Sequence, residues 1–299
     1  MLERAYLEIT NVCNRSCAFC PRTARSPRFM TEKEFSLLAG KLRPHTDCLY
    51  LHVMGEPTLH PELGAILRVC DGLRFRVVLT TNGTLLGEKG EILLSRPCLY
   101  KVQISLHSFE ANGGADGAVP DDCLDFAERA AKRGIIVILR LWNEDGREEG
   151  INSKNAPILE ALRARFDGFR SENKRGFCIA PKLYLEYGER FVWPSEGGPV
   201  LRAGGRCRAL KSQIAVLCDG TVVPCCMDGQ GRMPLGNLFE DDLETVLSSP
   251  LALRMLKGFE KGSAFAGALC PTCGYADRFN PREVMSSACA ERYERRGAL

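Results

Sequence analysis

The 299-residue sequence contains no apolar run of the roughly eighteen residues that mark a membrane-spanning helix, and its start lacks the basic-plus-apolar pattern of a signal segment. No membrane association is expected, and a cytoplasmic location is. Charge of one sign does not prevail either: 40 Lys and Arg face 37 Asp and Glu, a net charge of +3. That bias is too weak to argue for nucleic acid, and no dense basic stripe with interleaved aromatics stands out. Lys174-Arg175 and Arg202–Arg208 are the only local basic clusters, and both read as solvated surface. There is no internal repeat and no low-complexity tract. Histidine is scarce, with four residues, which narrows the choice of an acid–base group that titrates near neutrality. Cysteine is abundant: fifteen residues, which in a reducing compartment point to metal and redox use rather than disulfides.

The first informative motif is Cys13-Asn14-Arg15-Ser16-Cys17-Ala18-Phe19-Cys20, directly behind a β-rich run. Three thiolates at C-x3-C-x2-C leave one corner of a cubane cluster without a protein ligand, and an open iron can activate a small molecule. Four-cysteine ferredoxin runs close every corner and only pass electrons. Here Cys20-Pro21 is followed by no cysteine before Cys48. The rival reading is a set of buried apolar thiols, which Phe19 between the last two cysteines and the strand run Tyr6–Thr10 ahead of them weaken. The motif resembles that of the radical S-adenosylmethionine (SAM) superfamily. The resemblance implies that Cys13, Cys17 and Cys20 hold a [4Fe-4S] cluster whose unique iron takes the amino and carboxylate groups of SAM. It places Phe19 beside the SAM adenine. Reduction of the cluster, by a partner such as flavodoxin or ferredoxin, would then cleave SAM to a 5′-deoxyadenosyl radical.

Beyond the motif, β-rich runs alternate with helical patterns. Strands are predicted over Ala5–Thr10, Cys48–Val53, Arg74–Thr80, Lys101–Leu106 and Ile135–Leu141, with a sixth near Lys182–Glu186. Helices are predicted over Thr31–Leu42, Pro61–Val69, Leu86–Leu94, Asp121–Lys132 and Ala156–Arg165, the first opened by a Thr31/Glu34 capping box. This alternation indicates βαβ units on a parallel sheet, an α/β fold. Six such units match the partial (β/α)6 TIM-like barrel of the family, with chemistry at the C-terminal strand ends. Asn143–Asn155 reads as a surface loop, Ser195–Gly205 as a linker and Gly262–Gly267 as irregular. The expected division is a radical SAM core over residues 1–195 and a small auxiliary domain over 206–299, the latter with one helix over Leu243–Phe259.

Met54-Gly55-Glu56-Pro57 follows the second predicted strand, where the family carries a Gly-Gly-Glu motif. The resemblance implies that Gly55 and Glu56 face the SAM ammonium, with Met54 in place of the first glycine; alone, Gly-Glu-Pro is an ordinary turn. Thr81-Asn82-Gly83 ends the third strand and reads by itself as a turn. Alternation puts Ser105 and His107 on one face of the fourth strand, within reach of SAM ribose or carboxylate if that face points inward. His107 is also the candidate catalytic acid or base, set against the commoner structural role of a single histidine. Arg140, near the end of the fifth strand, can pair the SAM carboxylate bidentately or form a strand-edge salt bridge.

A second constellation follows the linker. Cys207 is separated by twelve residues from Gly220, which is separated by four more from Cys225; Cys270-Pro271-Thr272-Cys273 comes later. Ile214–Leu217, Asp219-Gly220 and Thr221–Cys225 read as a hairpin that brings Cys225 back toward Cys207. The spacing resembles the twitch appendage, a shortened relative of the SPASM domain. The resemblance implies that Cys207, Cys225, Cys270 and Cys273 hold one auxiliary [4Fe-4S] cluster. Structural zinc is the rival. Two auxiliary clusters are not expected, because Phe279 stands at the first of the further cysteine positions and only Cys289 remains.

Together these features imply SAM cleavage, hydrogen-atom abstraction and a net oxidation of a peptide, protein or small-molecule substrate, with RNA third. The first motif begins at residue 13, so no leader-binding domain is expected ahead of it. The alternative is an iron–sulfur electron carrier or redox sensor without SAM chemistry.

Overall fold

The structure, a computed structural model, describes residues 1–279 apart from 112–118, 145–152, 167, 169, 174 and 175. Strands β1 (Arg4–Leu7), β2 (Cys48–Tyr50), β3 (Arg76–Thr81), β4 (Leu99–Ser105) and β5 (Ile136–Glu144) pair in chain order, all parallel. Between them run α1 (Glu32–Leu42), α2 (Leu63–Gly72), α3 (Leu86–Leu94), the single turn α4 (His107–Glu110) and α5 (Asp121–Lys132), and α6 (Ala156–Arg165) follows β5. The Thr31/Glu34 capping box forms as predicted: Glu34 N–H donates to Thr31 Oγ1 and Thr31 N–H to Glu34 Oε2. It starts a helix that buries Phe35, Leu38, Ala39 and Leu42 against the sheet.

Two strands absent from the sequence prediction come next, β6 (Arg170–Asn173) and β7 (Gly176–Ala180), an antiparallel pair. Arg-Ser-Glu-Asn carries no apolar alternation, so it gave no strand signal; its pairing partner supplies what its sequence lacks. The predicted sixth strand is β8 (Leu183–Glu189), parallel to β5 and antiparallel to β7.

The auxiliary hairpin joins the same sheet. Strand β9 (Gln213–Val216) runs parallel to β1, with Ala5 beside Ile214 and Leu7 beside Val216. It turns through Asp219-Gly220 into β10 (Thr221–Val223), which pairs with the two-residue β11 (Gly236–Asn237). One open eleven-stranded sheet results, in the order β11-β10-β9-β1-β2-β3-β4-β5-β8-β7-β6. The partial barrel is therefore not closed. The helix predicted over Leu243–Phe259 is two helices, α7 (Leu243–Leu247) and α8 (Pro250–Glu260). Pro250 has no N–H to continue the first, and Ser249 caps the second by accepting from Ala252 N–H.

The strands present two contrasting faces. Leu7, Leu49, Leu79, Ile104, Leu139 and Leu185 pack into the main apolar core with the helices. The alternate residues on the other face include Tyr6, Tyr50, Gln103, Arg140 and Glu186. A closed barrel fills its interior with branched aliphatic side chains. This sheet instead sets polar and ionisable side chains on that face, the chamber side of the open half-barrel, which is where chemistry can take place.

Candidate active site

The three-cysteine loop leaves β1 and is closed at its neck. Thr10 Oγ1 donates to the Arg28 carbonyl (2.8 Å), Asn11 Nδ2 to the Ser26 carbonyl (2.9 Å), and Arg28 N–H to Asn11 Oδ1 (2.8 Å). Within the loop, Arg15 N–H points at Cys13 Sγ and Arg22 N–H at Cys20 Sγ, at 3.4 and 3.5 Å. Burial raises the Cys13 and Cys20 thiols, and Cys17 raises both further by its proximity. The raised Cys13 and Cys20 thiols ionise more readily beside a cation, and the three-cysteine loop fits the ligand set of an iron–sulfur cluster.

A buried carboxylate that the sequence reading passed over ties this loop to the rest of the site. Glu8, immediately after β1 and fully buried, accepts Arg25 Nη2–H at 2.7 Å and Met54 N–H at 2.9 Å through Oε1. Its Oε2 accepts Cys218 N–H at 3.0 Å. Arg25 also donates from Nε to the Gly229 carbonyl. One ion pair thus joins the cysteine loop, the loop after β2 and the auxiliary hairpin. An acidic residue in a run otherwise apolar on both sides, Leu-Glu-Ile, was the available signal.

Gly55 and Glu56 have distinct tasks. Gly55 has φ +75°, and a Cβ there would lie 2.5 Å from the Thr10 carbonyl oxygen. Only glycine lets the two loops close on each other. Gly55→Ala is expected to weaken SAM binding roughly tenfold or more, measured by equilibrium binding to the reconstituted protein; an unchanged affinity would show that the approach is not needed. The Glu56 carboxylate accepts from Thr58 N–H, Thr58 Oγ1 and Thr81 Oγ1 through Oε1 and from Asn82 N–H through Oε2, at 2.6–3.0 Å. Its own N–H donates to the Val12 carbonyl (2.8 Å). Glu56 therefore locks the ends of β2 and β3 to the start of the cysteine loop. Asn82, read from sequence only as part of a turn, donates through Nδ2 to Asn14 Oδ1 (2.8 Å) and lies 4.0 Å from Cys13 Sγ.

The predicted pairing of Ser105 and His107 on one strand face does not hold. Strand β4 stops at Ser105, and His107 opens α4. His107 still reaches the site: its ring lies 4.7 Å from that of Phe19, centroid to centroid. His107 Nδ1 sits 3.0 Å from the Arg140 carbonyl and 3.3 Å from Trp142 N–H. The Phe19 carbonyl accepts from Trp193 Nε1 at 2.9 Å. Ser105 and Arg140 are neighbours in register across β4 and β5. Burial drives the His107 pKa down to about 4. The ring is then neutral throughout the neutral range, and the pH–rate profile is expected to show no break between about pH 5.5 and 8 assignable to it. A break there that vanishes in His107→Gln would contradict this.

The second cysteine set also assembles. Burial, followed by Cys226, Cys207, Cys273 and Cys270, pushes Cys225 far up, and burial raises Cys270 to about 12. The hairpin and the C-x2-C turn thus bring the four predicted residues together. Cys226 diverges from them to receive a hydrogen bond from the Tyr6 hydroxyl in the chamber. Among the described residues, no three Cys, His, Asp or Glu side chains converge on one metal-ion position. Cys289 lies outside the described residues, as do most of the predicted 143–155 loop and Lys174-Arg175.

The fold and site define an iron–sulfur chain with a polar, open α/β half-barrel and an auxiliary cysteine-bearing hairpin. Two family models match it: radical SAM superfamily over residues 7–145, and iron–sulfur cluster-binding (SPASM) domain over 207–274. The chain belongs to the radical SAM superfamily and carries a SPASM-type domain; its cofactors are SAM, a [4Fe-4S] cluster and an auxiliary [4Fe-4S] cluster.

Among curated relatives, a probable GTP 3′,8-cyclase of Saccharolobus islandicus is 34% identical over 110 residues, 36% of this chain and 35% of that one. Fe-coproporphyrin III synthase of Methanosarcina barkeri is 27% identical over 191 residues, 62% and 45%. The match spans about a third to a half of these relatives' lengths. Similar folds occur in BtrN with AdoMet and 2-DOIA (18% identity, 91% of this chain and 93% of that one, TM-score 0.54). They occur also in Streptococcus suis SuiB bound to precursor peptide SuiA (15%, 97% and 76%, 0.56) and in anSMEcpe with AdoMet and Kp18Cys peptide (13%, 97% and 94%, 0.60). Among the described residues no helix is long and apolar enough to cross a membrane.

Proposed function

We propose that this radical SAM enzyme carries out a net two-electron oxidation of a small-molecule or peptide substrate held in the polar chamber, with residues 1–195 as core and 206–299 as auxiliary unit. When bound, the cofactors supply an electron for SAM cleavage, a 5′-deoxyadenosyl radical for hydrogen abstraction and an acceptor for the electron left behind. Cys13, Cys17 and Cys20 hold the SAM-binding cluster; Cys207, Cys225, Cys270 and Cys273 hold the auxiliary one. The loop around Gly55, fixed by Glu56 and Glu8, offers backbone acceptors to the SAM ammonium. Phe19, backed by His107 and anchored by Trp193, provides an adenine platform, while Ser105 and Arg140 face the ribose and carboxylate. His107 acts by orienting Phe19.

The observation that carries this reading is that segments of both cysteine sets border one chamber. Phe19 of the first lies on His107, beside Arg140. Cys226 and Tyr275, each adjoining the second, lie by Tyr6 and Arg140. Support for the two substrate classes comes from neighbours captured with 2-DOIA and with peptides. An external reductant is required, of flavodoxin or ferredoxin type.

The test is Cys13→Ala in the anaerobically reconstituted, reduced protein. 5′-Deoxyadenosine formation is expected to disappear; its survival would refute the assignment.

A further inference from the structure

Helix α8 (Pro250–Glu260) has two contrasting faces. Ala252, Met255 and Phe259 are buried on one. On the other, Pro250, Leu253, Arg254, Lys257, Gly258 and Lys261 line a shallow groove, at the i, i+3, i+4 spacing of a single helical stripe. Three of these six are cations, set against one carboxylate on the helix, Glu260, and among the described residues none of the three is held in an ion pair. Leu253 is 44% exposed between them. Gly258 lets the turn Ala264–Ala266 pack directly on the helix, since a Cβ there would lie 2.6 Å from Ala266 Cβ. Phe265 of that turn is 63% exposed. Lysines near a helix C-terminus offset its dipole, which accounts for Lys257 and Lys261. The dipole does not account for Arg254 in mid-helix, nor for two exposed apolar side chains beside the cations.

The buried face of the same helix leads to the auxiliary cysteines. Met255 and Met233 meet over Gly267: a Cβ on that glycine would lie 2.7 Å from Met255 Cε, 2.8 Å from Met233 Sδ and 3.0 Å from Cys270 Sγ. Met255 and Cys270 are therefore neighbours, and the groove is separated from Cys270 by the thickness of one helix, about 10 Å. An electron crosses such a span between docked redox proteins without an intermediate carrier. The face also has a suitable size. A helical stripe from Pro250 to Lys261 is about 17 Å long, and electron-transfer encounters bury little surface, under about 1,200 Å² in all.

We propose that this face of α8 is the docking surface for an acidic one-electron carrier protein, of flavodoxin or ferredoxin type, that takes an electron from the auxiliary unit. The assignment rests on the reading of that unit as the acceptor in a net oxidation. Hydrogen abstraction removes one electron and one proton from the substrate; the second electron passes to the auxiliary unit and the second proton to solvent. The docked carrier gains that one electron, and the auxiliary unit returns to its oxidised state for the next turnover. Arg254, Lys257 and Lys261 attract the carboxylates of an acidic partner, which speeds encounter and sets its orientation. Leu253 and Phe265 supply the small apolar contact. A second copy of this chain would bring cations against cations, and nucleic acid calls for a longer basic track than three side chains.

The test is calorimetric titration of the reconstituted holoenzyme with an oxidised flavodoxin and, separately, an oxidised ferredoxin, at low and at high salt. At least one is expected to bind, more weakly at high salt. The combined variant R254E/K257E/K261E is expected to weaken that binding roughly tenfold or more. Reduction of the carrier by prereduced holoenzyme, followed by rapid mixing at subsaturating carrier, should slow by a similar factor. Iron content and dithionite-driven SAM cleavage should stay at wild-type values, because dithionite needs no docking. Should the triple variant lose iron, Arg254→Gln with Lys257→Gln decides, since it removes charge without placing glutamates at the helix C-terminus; a weakening of about threefold or more is expected. Three results would overturn the proposal. The first is no binding of either carrier by the wild type at low salt. The second is binding that these substitutions leave unchanged while Arg22→Glu abolishes it, which would place the carrier at the three-cysteine loop. The third is a wild-type dimer that the triple variant splits, or tighter binding of a single-stranded RNA than of either carrier, which would assign the face to another occupant. Absence of SAM cleavage by the dithionite-reduced wild type would count instead against the enzymatic reading on which the docking surface rests.

Discussion

Replacing Glu8 with glutamine is expected to lower stability by about 3–5 kcal/mol and to loosen the three-cysteine loop. The cost arises because the substitution leaves Arg25 beside an uncharged amide in a nearly closed site, where the side chains of Glu8 and Arg25 are 0% and 14% exposed. It also converts one acceptor oxygen into a donor facing either Met54 N–H or Cys218 N–H, both of which need an acceptor. Glu3 and Arg208 provide the control. They pair at 3.0 Å with 56% and 44% exposure, and Glu3→Gln is expected to cost under about 1 kcal/mol. Denaturant titration of the two variants under identical conditions checks the contrast. Equal losses, or a loss below about 1 kcal/mol for Glu8→Gln, would show that the ion pair is not the joint between the loops.

The second large effect concerns the auxiliary cysteines. Cys270→Ala with Cys273→Ala is expected to lower iron from about eight atoms per chain to about four. Some SAM cleavage should survive, because the three-cysteine loop is built on β1 and fastened through Glu8 and Glu56. The same variant should lose turnover of substrate to oxidised product. Iron unchanged from the wild type, accompanied by one zinc per chain, would defeat the auxiliary-cluster assignment.

Much of this site was legible because its signals are local. The Thr31/Glu34 capping box and the Asp219-Gly220 turn each act over a few residues, and each formed where it was read. The strands of the half-barrel were legible from alternation, and the helices α3, α5 and α6 matched their predicted limits. The failures were of two kinds. His107 was read as strand because no breaker separates it from Ser105, yet the chain turns immediately after β4 to close α4. Pro250 was passed over inside an otherwise helical pattern, although its missing N–H makes it a first-turn residue.

Long-range partnerships were beyond reach. Glu8 is unusual in sequence, but nothing local says that Arg25, Met54 and Cys218 will meet it. Glu56 was read as a residue facing SAM, and nothing local says that Thr81 and Asn82 at the end of β3 will also donate to it. Arg278 and Trp142 are 136 positions apart and become neighbours only because the auxiliary segment folds back over β5. The parallel pairing of β9 with β1 likewise depends on the open edge of a sheet formed two hundred residues earlier in the chain.

The most direct test of the whole account is anaerobic reconstitution of the intact chain with iron and sulfide, followed by reduction in the presence of SAM. The account predicts about eight irons per chain and release of 5′-deoxyadenosine. A fully loaded protein that releases none, with reductant and candidate substrates supplied, would contradict radical SAM chemistry and leave an iron–sulfur electron carrier.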